Sequence, residues 1–148
     1  MATSAVPAVK AALFAALQSA YPTGVQVCYG RPSAGAWLAE DVVALLDVDA
    51  TQDAPLLGAR AREESFRLTV LVSSARGGDD QQATTEAAYA LLATLEAALR
   101  ADPTVAGTCR TAEVVGHLLR EDEWVSPDGV FLGRVAEIAA AVAVKARI

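Results

Sequence analysis

The stretch VFLGRVAEIAAAVAVKARI, residues 130–148, decides the fold that we expect for this chain. Its even positions from Ile138 onward carry isoleucine, valine and alanine, whereas its odd positions carry Glu137, then alanines, then Lys145 and Arg147. Side chains alternate between the two faces of a strand, so this pattern predicts a long strand with one core face. The other face is charged at its ends and carries alanine in its middle. That face suits something packed tightly across it, such as a long helix or a neighbouring subunit.

The segments before this strand predict the order α-β-β-β-α-β-β. Apolar residues at helical spacing predict two helices, one beginning near Pro7 and one over 81–100 that Asp80 can cap. Residues 109–121 fit either a strand or two helical turns, and we favour a strand because an SPDG turn and a second strand-like run follow. The remaining strands are predicted at 25–30, 40–49 and 64–74.

The fold class that this order implies is α+β, with two layers in one domain spanning residues 1–148. We expect a largely antiparallel sheet with an N-terminal helix and one long helix packed on one side of it. Residues 50–63 have no clear period and are predicted to form a loop.

Composition excludes several classes of protein. The chain has 148 residues, of which 53% are hydrophobic and 20% charged, as in a folded globular domain. Its net charge of −6, with scattered bases, is not that of a nucleic-acid binder. No apolar run is long enough to span a membrane, and the opening segment is too short and too periodic for a secretory signal. Two cysteines do not form a disulfide scaffold in a chain of this length.

The residues that usually carry chemistry do not form a recognisable site. Cys109 and His117 lie eight positions apart, about 26 Å along a strand, which is too far to share a metal ion. A pairing of Cys28 with His117 stays open. The acidic stretch that begins at Asp47 lacks the glycine of a calcium loop, because Gln52 occupies that position. We therefore predict no catalytic, metal-binding or cofactor-binding residues, and no enzyme.

The chain as a whole resembles the tail terminator, or tail completion, proteins of long-tailed bacteriophages. The resemblance rests on four stretches and covers essentially the whole sequence. The stretches are the opening helix PAVKAALFAALQSAY, the strand GARAREESFRLTVLVSS, the helix DDQQATTEAAYALLATLEAALRADP and the closing hairpin GTCRTAEVVGHLLREDEWVSPDGVFLGRVAEIAAAVAVKARI. The segment EDEWVSPDG is more acidic and aromatic than this pattern requires.

The resemblance implies a structural virion protein at the head-proximal end of the tail, assembled in the host cytoplasm. Such proteins form a ring, usually a hexamer, that ends polymerisation of the tail tube and joins the tail to the head connector. The expected partners are further copies of the chain, the tail tube protein and a connector or stopper protein. DNA would pass through the ring without specific binding, and an acidic lumen would keep its phosphates from adhering.

Two groups of residues are the interface candidates that this reading selects, because a head-to-tail ring contact needs two different patches on each subunit. Both groups are expected on loops that reach neighbouring subunits or the tube. Trp124 is either a buried anchor of such a contact or a side chain folded over its own hairpin. The candidates are Arg60, Arg62, Glu63 and Glu64 in the first group, and Glu121, Asp122, Glu123 and Trp124 in the second.

Two alternatives remain beside the terminator. One is another head–tail connector or stopper protein with a similar small α+β fold. The other is a small cytoplasmic enzyme or binding domain, which would require a concave pocket holding a titratable group with a perturbed pKa.

Overall fold

The structure, a computed structural model, describes residues 3–33, 39–53 and 62–148. Two helices and five strands follow in the predicted order α-β-β-β-α-β-β, and the α+β class is confirmed. The elements are α1 (Val6–Ala20), β1 (Val25–Cys28), β2 (Asp41–Asp53), β3 (Glu63–Gly77), α2 (Gln81–Ala101), β4 (Thr111–Val125) and β5 (Phe131–Arg147).

Both helices begin and bury their side chains as their sequences predict. In α1, Val9, Leu13 and Leu17 recur every fourth residue and are buried. The carboxylate of Asp80 caps α2 by accepting a hydrogen bond of 2.9 Å from the amide of Ala83. The buried side of α2 includes the predicted apolar residues Ala88, Leu91, Leu92, Leu95 and Leu99.

The five strands form one sheet in the order β1-β2-β3-β5-β4. Strand β1 is parallel to β2, and every other neighbouring pair is antiparallel. The expectation of a largely antiparallel sheet is confirmed. Because β4 and β1 are the two edges, the long closing strand β5 lies inside the sheet, paired on both sides.

The sheet has two faces of different character, set by the alternation along β5. On one face, here called the helix face, Ile138, Val142 and Val144 are buried in a single cluster with the buried side chains of α1 and α2. The opposite face, here called the open face, carries Ala139 and Ala141, which are half-buried. The hydroxyl of Tyr21, just after α1, donates a 2.6 Å hydrogen bond to the carbonyl of Leu91 in α2.

The odd-position alanines of β5, which are Ala139, Ala141 and Ala143, do not pack against the long helix. They lie on the open face, while α2 packs on the even positions of the strand. The pattern suggested that either the long helix or a neighbouring subunit packs on the alanine face. The prediction of the helix is wrong, because a strand places odd and even residues on opposite sides. A neighbouring subunit remains as the other.

Strand boundaries differ from the prediction around β2. The loop expected over 50–63 is wrong at both ends, since β2 continues to Asp53 and β3 already begins at Glu63. Gln52 and Asp53 have weak strand preference, but backbone pairing with β3 holds them extended. Residues 54–61 lie outside the described part of the chain. Strand β1 is shorter than predicted and ends at Cys28.

The closing hairpin confirms the strand reading of 109–121 and corrects its tip. Strand β4 runs to Val125, so the acidic residues Glu121 and Glu123 lie on a strand rather than on a loop. The turn is formed by 126–129, where the amide of Gly129 donates to the carbonyl of Ser126 at 2.9 Å. Cross-strand pairing keeps the acids extended because each has a backbone partner on β5.

Gly133 marks a close approach between β5 and β3. A methyl group in place of its α-hydrogen would collide with the backbone carbonyl of Arg76 and with the Cα atom of Gly77. Neither obstacle is the flexible end of a side chain, so the strands themselves would have to separate. Glycine is therefore required here.

Gly133→Ala is expected to lower the free energy of unfolding by about 1–3 kcal/mol, the cost of forcing extra atoms into a packed site. Urea denaturation of the purified chain measures this. Gly116→Ala is the matched control, because a methyl group at Gly116 meets no atom within 4 Å. Equal stability losses in the two variants would contradict the close approach.

Candidate functional site

The end of the β4–β5 hairpin projects beyond the rest of the sheet. Pairing between β3 and β5 stops at Gly77 and Gly133, whereas pairing between β4 and β5 continues to Val125 and Phe131. Residues 124–132, here called the hairpin end, therefore have sheet neighbours mostly within the hairpin itself. They include five of the exposed large hydrophobic residues, which are Trp124, Val125, Val130, Phe131 and Leu132.

The exposure of Trp124 is intermediate between those expected for its two possible roles, an anchor in a contact and a side chain folded over its own hairpin. Its side chain is 37% exposed, so it is neither a core residue nor fully free. It lines a groove of about 550 Å³ on the open face, together with Val42, Ser73 and Val135. The indole thus partly covers its own sheet and leaves a second surface available to a partner.

The acidic residues before Trp124 do not form one cluster, because consecutive strand residues point to opposite faces. The carboxylate of Glu121 accepts a 2.7 Å hydrogen bond from the hydroxyl of Thr85 in α2, on the helix face. Asp122 has the opposite phase, and its carboxylate accepts the amide of Glu123 at 2.7 Å. Glu123 lines the groove beside Trp124.

The first candidate group lies at the other end of the sheet. Arg60 lies outside the described residues. Arg62 is exposed and exchanges two backbone hydrogen bonds of 2.9 Å with Ile148. Glu63 forms an exposed ion pair with Arg110 at 2.6 Å. Since β3 spans the distance between this group and the hairpin end, the two groups are roughly 45 Å apart.

Glu64 is not an exposed contact residue. Its side chain is 1% exposed, and its carboxylate accepts hydrogen bonds from Ser4 Oγ at 2.7 Å and from the amide of Ala5 at 2.6 Å. The N-cap residue of α1, Ala5, has no side-chain cap of its own, so Glu64 on β3 supplies the negative charge at the helix start. Its role is within the subunit.

The electrostatics of Glu64 follow from these contacts. Burial favours the neutral carboxyl and would raise its pKa. The hydrogen bonds from Ser4, Ala5 and Gln52 outweigh burial and hold the pKa below its ordinary value of 4.5. Sequence reasoning missed this role, because Glu64 and its main partners are about sixty positions apart.

A second ion pair borders the groove, and the sequence alone did not predict it. Asp41 accepts hydrogen bonds from both terminal nitrogens of Arg76, at 2.8 and 3.0 Å, and from Ser74 Oγ at 2.8 Å. Burial opposes ionisation of Asp41, but the Arg76 and Ser74 hydrogen bonds dominate and lower its pKa. The pair fastens the start of β2 to the end of β3.

The three residues considered for chemistry are far apart. Cys28 is on the edge strand β1, while His117 is on the opposite edge strand β4, roughly 19 Å away across four strand spacings. The pairing of Cys28 with His117, which the sequence left open, is therefore excluded. His117 Nε2 lies 3.1 Å from the hydroxyl of Tyr89, and Cys109 Sγ lies 3.3 Å from the carbonyl of Thr104.

Within the described ranges, no group of three or more His, Cys, Asp and Glu side chains is placed to hold a metal ion. Neither described helix is long and apolar enough to cross a membrane.

Comparison with known proteins shows a similarity in structure but not in sequence family. No protein-family model and no curated protein matches the sequence. The chain is similar to a sheath/tube terminator. That protein belongs to an extracellular contractile injection system, PVC, and its structure was solved in the extended state. The TM-score is 0.46 with 14% sequence identity, and the alignment covers 97% of this chain and 58% of that one. This chain therefore spans little more than half the length of that terminator.

Glu64→Gln is expected to destabilise the chain by about 1–3 kcal/mol at neutral pH, because buried donors lose their charged acceptor. A carboxyl whose folded pKa is depressed contributes stability above its unfolded pKa and loses it as pH falls through the folded value. The difference between the two proteins should therefore shrink below about pH 4.5. Urea denaturation over a pH series measures it.

Glu63→Gln is the matched control, since that neighbouring side chain is half exposed and its ion pair is at the surface. A change within about 0.5 kcal/mol is expected there. A loss for Glu64→Gln that stayed constant from neutral to acidic pH would show that the carboxylate charge does not hold α1.

Proposed function

We propose that this chain is a tail terminator, a structural virion protein that forms a ring at the head-proximal end of a tail tube. In this role it ends tube polymerisation and joins the tail to the head connector. It is assembled in the host cytoplasm and performs no catalysis. Its partners are further copies of itself, hexameric in number, the tail tube protein and a connector or stopper protein.

The observation that carries this proposal is the exposed apolar hairpin end. Val130 is 58% exposed, Phe131 44% and Leu132 42%, and these residues are contiguous. Soluble monomers rarely display such a patch unless it is an interaction site. A protein whose work is association needs surfaces of this kind.

The open face supports the same proposal. Neither described helix covers it, and along β5 it presents the small, half-buried side chains of Ala139, Ala141 and Ala143. Small residues let another backbone approach closely without displacing side chains. The face is suited to being covered by a neighbouring subunit.

The two ends of the sheet supply what a ring requires. A head-to-tail contact joins two different surfaces of identical subunits, and such contacts form a ring when the rotation between subunits closes. The hairpin end and the Arg62–Glu63 end are separated by the length of β3, so one subunit can use both at once. A contact made twice through one patch would instead stop at a dimer.

The charge of the chain is compatible with a DNA channel that does not retain DNA. Acidic groups lining a lumen repel phosphates, and the net charge is −6. We propose that acidic residues line the lumen. Imaging an assembled ring tests this directly, and a lumen lined mainly by arginine and lysine would refute it.

Removal of the gene from its phage is expected to yield tubes without a defined length and heads without attached tails. Purified chain added to polymerising tube protein should shorten the tubes in proportion to its concentration, because each ring blocks one end. Electron microscopy measures both. Tubes of unchanged length, with the ring bound instead to the portal side, would favour the stopper alternative.

Trp124→Ala is expected to leave the isolated subunit folded, with a stability loss of about 1–2 kcal/mol from its partial burial. Tube capping should fall at least tenfold if the exposed part of the indole anchors a contact. Tyr89→Ala serves as the control, because Tyr89 is an aromatic residue of similar exposure, 38%, that lies on α2 on the other side of the sheet. A stability loss above about 3 kcal/mol would assign Trp124 to the core instead.

A further inference from the structure

The hairpin end must meet a partner whose surface differs from it. Most charges around it are acidic, and the nearby base Arg134 is already bonded to Asp79 at 2.7 Å. Two hairpin ends placed against each other would therefore oppose like charges. The acids at this end are Asp79, Asp80, Glu121, Asp122, Glu123 and Asp128.

A surface of different charge lies at the other end of the open face. A shallow depression of about 250 Å³ is lined there by Thr51, Ser65, Arg67 and Ala143. Lys145 follows Ala143 on the same face of β5. Its lining also includes Asp49 and Phe66, so the charged residues that border it are one acid, Asp49, and one base, Arg67.

Basic side chains at this depression are available to a partner. Arg67, Lys145 and Arg147 lie on one face of the adjacent strands β3 and β5. Within the described ranges none of the three has an ion-pair partner. Acids are present too, so this end is balanced rather than basic. Glu63 is already bonded to Arg110, while Asp49 is opposite Arg67 in the register.

We propose that the hairpin end of one copy docks into this depression on a second copy. Phe131 and Val130 cover the surface of the depression, and Asp128 in the turn faces Arg67 and Lys145 of the second copy. The proposal rests on the self-association that the proposed function requires, and it names the two surfaces that meet. The contact requires no third protein.

This pairing is directional. Each copy offers one hairpin end and one depression, so every copy binds two others, and the series of contacts forms a ring when its rotation closes. The groove beside Leu99 and Pro103 at the same end of the sheet is a less suitable receiver. Its bases are Arg100 and Lys145, of which Arg100 is already bonded to Glu96 at 3.2 Å, and its lining holds a second acid, Glu113.

Cysteine crosslinking in full-length chains tests the pairing. In a background with Cys28→Ala and Cys109→Ala, one protein carries Pro127→Cys and a second carries Ser65→Cys, so that Asp128 and Arg67 are both retained. A short bismaleimide linker is then added to each protein alone and to their mixture. The mixture is expected to form a crosslinked heterodimer at least tenfold faster than either protein alone.

The controls separate this pairing from its competitors. Pro127→Cys alone reports contact between two hairpin ends, and Arg100→Cys mixed with Pro127→Cys reports docking on the helix side. Crosslinking in either control at the rate of the main mixture would overturn the proposal. Absence of the heterodimer at concentrations up to about 1 mM, where contacts of millimolar affinity are populated, would also overturn it.

A pair of valine substitutions tests the apolar part of the contact. Val130→Ser at the hairpin end should weaken self-association about tenfold, as measured by sedimentation velocity. Val115→Ser is matched in residue type and exposure, at 48%, but lies at the β4 bulge away from the hairpin end and should leave association unchanged. Equal effects of the two variants would contradict the docking.

Tube capping is scored separately from crosslinking. A chain that crosslinks as expected but leaves tube length unchanged would refute the terminator and retain this contact. A chain that caps tubes while its mixture fails to crosslink would refute this contact alone.

Discussion

Backbone pairing between β3 and β5 is the interaction on which the rest of the structure depends. Its register continues without interruption from Glu63 and Arg147 to Gly77 and Gly133. A slip of one residue would turn Ile138 and its even-numbered companions to the open face and place Glu137 against the helices. The alternation along β5 therefore determines which side receives α1 and α2. Everything placed on either face follows from that assignment.

Much of the fold could be predicted because its main elements carry strong local periodicity. Strand β5 alternates from Ala136 to Arg147, and α2 repeats leucine at three and four positions up to Leu99. The end of β2 could not be predicted in the same way. Thr51, Gln52 and Asp53 have no strand pattern of their own and are extended because β3 pairs with them. Tertiary pairing overrides weak local preference there.

The candidate site could be predicted only in part, for a related reason. The sequence marked residues 60–64 and 121–124 as notable because of their charge, but charge alone does not say what a side chain contacts. Glu64 and Glu63 are adjacent in the sequence and have opposite positions in the fold, one buried beneath α1 and one exposed. Strand phase decides between them, and that phase depends on the register with β5. The depression beside Arg67 gave no sequence signal, since it joins three strands.

The sheet is asymmetric along its length, and this has consequences for assembly. Its apolar, acidic hairpin end is followed, about 45 Å away, by an end with balanced charge and small side chains on the open face. Similar ends would permit a symmetric dimer, whereas dissimilar ends favour a directional series. The short edge strand β1 and the charged, bulged edge strand β4 are both poor templates for further strand addition. Faces and the hairpin end are therefore better suited than edges to join copies.

The proposed docking of the hairpin end and the proposed acidic lumen both use the acidic residues near the hairpin end. If the open-face side of the hairpin end is covered by a second copy, Asp122 and Asp128 are used in that contact. The acids on the helix side, such as Glu121 and Asp80, then remain exposed, because α2 begins beside them without covering them. For these remaining acids to line the lumen, the helix side of each hairpin has to face the channel. The two proposals are thus compatible only if the acids divide between the faces as the strand alternation of β4 divides them.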